Sequence, residues 1–408
     1  MISKYFYKLD NAAKFFSLDS KSSTNFFRYT AILVDDVEFE LLCDAINYSL
    51  EIFPQFKVKL KSGMFWDVFT YNNKECIVTL STESSNYFIN LRNNNDYLFK
   101  VTYLRNKINI DFFHALTDGC GAMIFFEHLL CRYLSLKYNV VYDENKYNNY
   151  GINDEYLNKY NKKSKVIKNR SNVSFQFDDM MNKNVNNTYH YIVDIVKLKK
   201  VCKYYKVSIT EFLTSLYIYA IYLYVYKKNF NKEIVIAVPI NLRSYYKCDT
   251  LSNFFVCMNV NPKIIRKNIS SFKEILNEVH NEFVNKLDFD NIESYLTKDV
   301  RLGNNLFIEG VPLFLKKFFI KYVISIVSKT STSTLSNVGC FTVEDKFKKY
   351  IDNVFVLASP SKEQKIRCSV CSYDNKLNIV LNSNIDDMKF QNIFLDLLKK
   401  EIGFVKIK

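Results

Sequence analysis

Four histidines occur in the 408 residues, His114, His128, His190 and His280, so a side chain that exchanges a proton near neutrality comes from a short list. His128 and His280 lie in helical patterns with no partner motif nearby, and His190 sits at a polar strand start. A structural or surface place is expected for all three. His114 differs: it closes an alternating apolar run and is followed by Asp118, Gly119 and Gly121 in His114-Ala-Leu-Thr-Asp118-Gly119. A histidine at a strand end can project into a cleft, and an aspartate four residues on can turn back to pin the loop. Glycine permits an unusual backbone conformation or a close approach before a helix begins. Such a group suits general acid–base chemistry. The same spacing also fits a core histidine beside a helix-capping aspartate, and the residues alone leave both readings open.

The elements around His114 can be read from periodicity. Ile108, Ile110 and Phe112 alternate with Asn109 and Asp111, a strand that runs into the motif, while Met123, Phe126, Leu129, Leu130, Tyr133 and Leu134 recur at helical spacing over 122–136. The motif is therefore a strand-to-helix turn, a place where a rigid scaffold fixes a loop end. Upstream lie a strand at 26–34, a helix from about 37 to 52 closed by Pro54, and strands at 57–60, 64–70, 76–80 and 97–104. The stretch 143–186 turns rich in Asn, Lys, Asp and Ser and reads as a linker. A second half follows, with strands at 189–193, 233–238 and 254–260, helices at 195–205 and 210–226, further helices to about 327, strands near 334 and at 338–343, a hairpin and a last helix near 388–400. Ser208 with Glu211 and Ser271 with Glu274 both have capping-box spacing. The pattern implies an α+β protein of two lobes, residues 1–150 and 188–408, joined by a linker at 151–187.

Composition narrows the classes. The chain is 48% hydrophobic, 16% aromatic and 24% charged, with 8 glycines and 5 prolines, which excludes a disordered or fibrous chain. The net charge of +14 suits an anionic partner, but the lysines are spread along the chain rather than gathered in one stripe, so no nucleic-acid partner is expected. Ten cysteines lack a disulfide framework, and the first residues hold no apolar run of signal-peptide length; a reduced, cytoplasmic protein is expected. Cys368 and Cys371 fall three apart on a strand, pointing to opposite faces, so no zinc or other metal is expected. No segment reads as an integral membrane span. Residues 314–327 are apolar with Lys316, Lys317 and Lys321 interspersed, and fit a helix that covers the core with its lysines reaching solvent better than one lying on a membrane surface.

Beyond the motif, several segments fall in a telling order: Leu9-Asp10-Asn11-Ala12-Ala13, Phe53-Pro54-Gln55-Phe56 leading to Gly63-Met64-Phe65-Trp66, Val238-Pro-Ile-Asn-Leu-Arg243, Ser252-Asn-Phe-Phe255 and Ser333-Thr-Leu-Ser-Asn-Val-Gly339. With His-x-x-x-Asp-Gly they resemble the CoA-dependent acyltransferase superfamily, which includes chloramphenicol acetyltransferase, peptide-synthetase condensation domains and plant acyltransferases. The likeness is to its alcohol acetyltransferase-like branch. It implies two chloramphenicol acetyltransferase-like lobes with mixed sheets and flanking helices, V-shaped around a channel, with His114 near the middle as general base. Acyl-CoA is then a co-substrate, attacked by a hydroxyl or amine acceptor that approaches from the opposite face, and no cofactor is bound. The resemblance turns the Asp118 carboxylate away from the imidazole and toward an arginine, for which Arg243 is the candidate; the alternative for Arg243 is an exposed loop residue. Ser336 and Asn337 are candidates for channel-lining or oxyanion hydrogen bonds, beside backbone groups at Gly119–Gly121, or they form only a turn. No residue is assigned to the CoA phosphates. A carrier-protein thioester donor, as in condensation domains, and a non-catalytic protein retaining the fold are the competing readings.

Overall fold

The computed structural model describes residues 7–18, 25–81, 91–151, 153–166, 172–177, 186–226, 232–262, 271–305 and 310–407. The chain starts with β1 (Tyr7–Lys8), α1 (Asn11–Ser17), β2 (Phe26–Leu33) and α2 (Phe39–Ile52). The hairpin β3 (Val58–Ser62) and β4 (Asp67–Tyr71) leads to β5 (Val78–Leu80), β6 (Phe99–Leu104), β7 (Lys107–Phe113), α3 (Gly119–Tyr138) and α4 (Glu155–Lys159). The second half runs through β8 (Asn187–Asp194), α5 (Ile195–Tyr205), α6 (Ile209–Val225), β9 (Ile236–Asn241), α7 (Arg243–Tyr246) and β10 (Phe255–Val260). Helices α8 (Phe272–Lys286), α9 (Phe289–Gly303) and α10 (Leu313–Ser328) precede β11 (Ser333–Phe341), α11 (Asp345–Lys348), β12 (Ile351–Ala358), β13 (Ile366–Tyr373), β14 (Lys376–Ser383), α12 (Lys389–Ile402) and β15 (Lys406–Ile407).

These strands form three sheets. One sheet has the order β12-β2-β7-β6-β5, the second β10-β9-β11-β13-β14-β8-β15, and β1-β4-β3 makes a small third sheet. Two of the three are mixed: β5 runs parallel to β6, and β11 parallel to both β9 and β13. Each large sheet has its own core. One gathers Leu42, Ile46, Phe53, Phe112, Phe125 and Leu129 around α2 and α3; the other gathers Leu216, Ile221, Ile275, Ile379 and Phe394 around α6, α8 and α12. The protein is thus an α+β chain with two cores.

Contacts cross the expected boundary. β12, far beyond residue 188, pairs antiparallel with β2 from Ile351 to Ala358, so the first sheet takes an edge strand from the second half. α1 packs on α9, where Asn11 Nδ2 donates to Asp299 O at 3.1 Å. The sheets meet through a buried amide pair: Asn353 on β12 donates to Asn378 Oδ1 on β14 at 2.7 Å, and Asn378 returns a bond to Asn353 Oδ1 at 3.0 Å. Paired amides in a dry interface fix register, because sliding by one residue would leave both unsatisfied. β13 serves both cores from its two faces, Cys368 in the second and Cys371 in the first.

Three local details depart from the sequence reading. The strand expected at 64–70 begins at Asp67, because Met64–Trp66 form the hairpin tip closed by Gly63 N–H to Trp66 O at 3.1 Å. The strands expected near 334 and at 338–343 are one strand with a bulge between Asn337 and Cys340, where Gly339 takes φ +89°. Ser208 and Glu211 form their reciprocal capping box, whereas the Ser271 side chain makes no cap bond to α8.

Candidate active site

The strand that delivers His114 is fixed before it arrives there. Arg28 on β2 stands opposite Asp111 on β7, and their buried side chains form a two-point ion pair at 2.6 and 2.7 Å. His114 N–H donates to Asn25 O at 2.8 Å, and Leu116 N–H closes a turn onto Phe113 O at 2.8 Å. Thr117 Oγ1 then donates to Leu251 O in the second half at 2.7 Å. Asp118 caps α3: its Oδ1 accepts from Cys120 N–H at 3.1 Å and Gly121 N–H at 3.0 Å. The glycines serve close approach. A Cβ at Gly121 would sit 2.4 Å from Leu251 O, and one at Gly119 would sit 2.9 Å from Val338 Cγ1; neither glycine has positive φ.

Asp118 makes no hydrogen bond to the imidazole among the described residues. Its carboxylate faces the second half, where Arg243 Nη1 reaches Oδ2 at 2.8 Å and Nη2 reaches Oδ1 at 3.0 Å. Phe254 N–H adds a fifth bond, to Oδ2 at 2.8 Å. Arg243 stands at the start of α7 with its side chain only 10% exposed, its Nε on Thr250 O at 2.9 Å and Nη2 on Ser252 O at 2.7 Å. A planar fork suits this arrangement, since one side chain ties the Asp118 cap of the His114 loop to two carbonyls of the opposite half. Burial pushes the Asp118 carboxyl up, but Arg243 and the Gly121 and Phe254 N–H groups outweigh it and hold the carboxyl below its usual range.

His114 is held by other residues. Nδ1 lies 3.0 Å from Asn253 Oδ1, and Asn253 Nδ2 donates to Asp10 Oδ2 at 3.1 Å, which also accepts Asn253 N–H at 3.0 Å. The other Asp10 oxygen accepts Ala13 N–H at 2.7 Å and so caps α1. Because Asp10 takes the amide protons of Asn253, the oxygen of Asn253 faces His114 and the hydrogen sits on Nδ1. Nε2 is then the unprotonated nitrogen, with no hydrogen-bond partner among the described residues. That is the tautomer a general base needs.

The imidazole is half-buried among rings. Phe16 stacks on it with centroids 4.2 Å apart, Phe27 meets it edge-on at 5.1 Å, and Phe255 lies at 5.6 Å. Phe16 and Phe255 also line a mainly apolar cavity of about 240 Å³, together with Asn11, Phe15, Tyr156 and Asp299. Burial depresses the His114 pKa below the usual 6.5; Asp118, the ring's bond to its own backbone and Asn253 oppose this, while Arg367 adds to it. Burial also pushes the Asp10 carboxyl up to about 7 despite its bonds to Ala13 and Asn253.

Of the two polar candidates on β11, the structure does not bring Asn337 to His114. Its Nδ2 donates to Thr210 Oγ1 at 3.0 Å and its Oδ1 accepts Gly339 N–H at 3.0 Å, so the amide is spent on α6 and on its own bulge. Ser336 lies on the opposite face of the strand, away from Leu335 in the second core. Cys120 and Gly121 N–H are already spent on Asp118. The remaining histidines are structural: His128 Nδ1 lies 2.9 Å from Ser49 Oγ in the first core, His190 Nε2 lies 2.8 Å from Asn378 Oδ1, and His280 Nδ1 bridges to Glu211 at 2.7 Å. Asp10 and Asn253 carry roles that sequence reasoning did not assign. The only signal for them is their position inside the segments Leu9–Ala13 and Ser252–Phe255.

No protein-family model and no curated protein matches the chain. Solved structures match it over nearly its whole length. Trichothecene 15-O-acetyltransferase (TRI3) from Fusarium sporotrichioides has a TM-score of 0.64 at 8% identity, covering 97% of this chain and 94% of its own. F. graminearum TRI101 complexed with coenzyme A and deoxynivalenol has a TM-score of 0.65 at 11% identity, covering 99% of both chains. The starter condensation domain of rhizomide synthetase RzmA, complexed as a mutant with C8-CoA and Leu-SNAC, has a TM-score of 0.60 at 10% identity over 97% of this chain and 94% of that one. The chain has the acyltransferase and condensation-domain fold. At these identities the likeness is one of fold, and it makes the two cores the two lobes of that architecture, with the His114 loop tied across their seam by Asp118–Arg243 and His114–Asn253.

Proposed function

We propose that the protein transfers an acyl group from acyl-CoA to the hydroxyl or amine of a small acceptor, with His114 as general base. The observation that carries this reading is the held tautomer: Asn253 and Asp10 keep the proton on Nδ1 and leave Nε2 without a hydrogen-bond partner among the described residues, in a ring packed against Phe16 and Phe255, which line an apolar cavity. A thioester is already activated and needs only a nucleophile relieved of its proton. Nε2 takes that proton as the acceptor oxygen or nitrogen attacks the thioester carbonyl, and the tetrahedral intermediate collapses with the proton returned to the departing CoA thiolate. Asp118 and Arg243 hold the loop without touching the reacting atoms. Ser336 is the candidate donor to the oxyanion, its hydroxyl lying on the strand face that Asn337 does not share.

The fold supports the reading because similar structures include an acetyltransferase, TRI3, and TRI101 in complex with coenzyme A. Acetyl is the donor group this reading favours, supported by the acetyltransferase TRI3. The condensation-domain neighbour supports a second reading in which a carrier-protein thioester replaces acyl-CoA. The test is free-thiol release from acetyl-CoA and longer acyl-CoAs against a panel of alcohols and amines. Acceptor-dependent release supports the CoA reading; release only from an acyl carrier protein moves the donor to the second; release from neither overturns both.

Two further results are expected. The neutral base has to survive at the pH of reaction, and a depressed His114 pKa keeps it neutral below the usual histidine range. The acid limb of kcat/KM therefore falls below pH 6.5, and a limb above 6.5 would contradict the burial of this ring. Asp10→Asn tests the tautomer. The new amide can donate to Asn253 Oδ1, turning Asn253 so that its NH₂ faces His114 and the imidazole proton moves to Nε2. A roughly 10- to 100-fold fall in kcat with little change in KM is expected, since a wrong tautomer disables the base without changing the cavity. An unchanged kcat would show that Asn253 is held without Asp10.

A further inference from the structure

Helix α10 is apolar on both sides. Its inner side is accounted for: Leu313 and Ile320 are buried with Leu18 against Phe15, Trp66 and Ile324. Lys316, expected to reach solvent, instead turns inward, donating to Phe65 O at 2.8 Å with its ammonium 3.7 Å from the Trp66 ring centroid. The reason is local, because the β3–β4 hairpin tip offers both a carbonyl and a ring face to a cation. The outer side is left to large apolar groups. Phe314, Phe318, Phe319 and Tyr322 are 73, 76, 63 and 69% exposed, and Leu315, Val323, Ile326 and Val327 continue the strip. Met64 extends it from the hairpin tip, 75% exposed and tied to α10 by Leu313 N–H to Met64 O at 2.9 Å.

This strip runs the length of a 16-residue helix, about 24 Å. Its four aromatic side chains each leave on the order of 100 Å² in water, so with the aliphatic residues the patch exceeds the roughly 300–600 Å² found as the largest on a soluble monomer. Among the described residues no single helix is long and apolar enough to cross a membrane, so α10 can lie on a bilayer but not span one. Charge selects the partner. The chain carries +14 and Lys329 is exposed at the C-terminal end of α10, while Lys317 at its flank is ion-paired with Asp67 at 3.4 Å. A second copy would bring the same charges to the contact, whereas an anionic surface complements them. The opposite, inner side of α10 packs on Phe15, which lines the cavity shared by Phe16 and Phe255, so the helix lies between the exposed patch and the candidate site.

We infer that α10 docks the protein on an anionic lipid bilayer, its Phe and Tyr side chains entering the headgroup boundary with the helix axis in the membrane plane. This surface is independent of the acyl-transfer reading. The test is co-sedimentation of the full chain with vesicles of phosphatidylcholine alone and of phosphatidylcholine with phosphatidylserine, at low and high salt. The wild type pellets with the mixed vesicles, less so at high salt and less with phosphatidylcholine alone. The double variant Phe318→Glu, Phe319→Glu loses about tenfold or more of its partitioning while keeping the melting temperature of the wild type, since both rings are exposed. A wild type that stays in the supernatant with both vesicles, or a double variant that pellets equally well, overturns the proposal. So does a wild-type dimer in light scattering that the double variant dissociates, which would assign the face to a second copy.

Discussion

His114→Ala is expected to lower acceptor-dependent thiol release by about 10²- to 10⁴-fold, the usual worth of a positioned general base. The protein would keep its fold, because the lost ring leaves a gap beside the cavity and removes one bond from Asn253, whose other bonds to Asp10 remain. The unpaired Asn253 oxygen costs about 1–3 kcal/mol, less if water enters from the cavity. Activity and stability therefore separate in this variant. Residual turnover would reflect substrate held near attack geometry between the lobes, which does not depend on the base. The measurement is kcat/KM for thiol release beside a thermal melt. Unchanged kcat/KM would remove His114 from the chemistry and leave the non-catalytic reading of the fold; a loss matched by a collapsed melt would make the histidine a core residue.

The strand, turn and helix around His114 were readable because each depends on neighbours in sequence. Alternation at Ile108, Ile110 and Phe112 makes β7, helical spacing from Met123 to Leu134 makes α3, and an aspartate ahead of a glycine at the helix start is a capping signal. What lay beyond reach depends on distant pairings. Asn253 and Asp10 act on His114 from 139 residues along the chain and, through Asn253, across a further 243. No periodicity encodes such a contact. β12 shows the same limit at the level of the sheet, since its alternating residues suit either core and only the tertiary structure pairs it with β2. Asn337 shows another: regular pairing from Leu335 to Asn337 sets its direction, but only the tertiary structure brings Thr210 to its amide. For α10, periodicity marks a helix but cannot choose its inner face, and the Trp66 ring decides it by drawing Lys316 inward.

Asp118→Asn is expected to reduce stability and rate together. The carboxylate accepts five hydrogen bonds, two from the Arg243 guanidinium and three from the N–H groups of Cys120, Gly121 and Phe254. An amide supplies one acceptor oxygen and turns an NH₂ group toward donors, leaving the Arg243 charge buried without its counter-ion. Breaking a buried pair from one side costs about 3–5 kcal/mol. The pH dependence provides an independent check. The folded-state pKa of Asp118 lies below the usual 3.8, so its contribution is fully present above that value and is lost as the pH falls through the lower folded one. The wild type should therefore lose part of its advantage over Asp118→Asn in acid, with the two melting curves converging at low pH. Rate falls in the same variant because the loop carrying His114 loses its tie across the lobes, and displacement of a base by about 1 Å can cost about 10²-fold. Arg243→Lys separates charge from geometry: it keeps a cation near Asp118 but loses the fork that also holds Thr250 O and Ser252 O, so it should recover part of the stability and little of the rate. A variant of Asp118 with an unchanged melt and lost activity would instead place its carboxylate in the chemistry itself, in direct exchange with the imidazole.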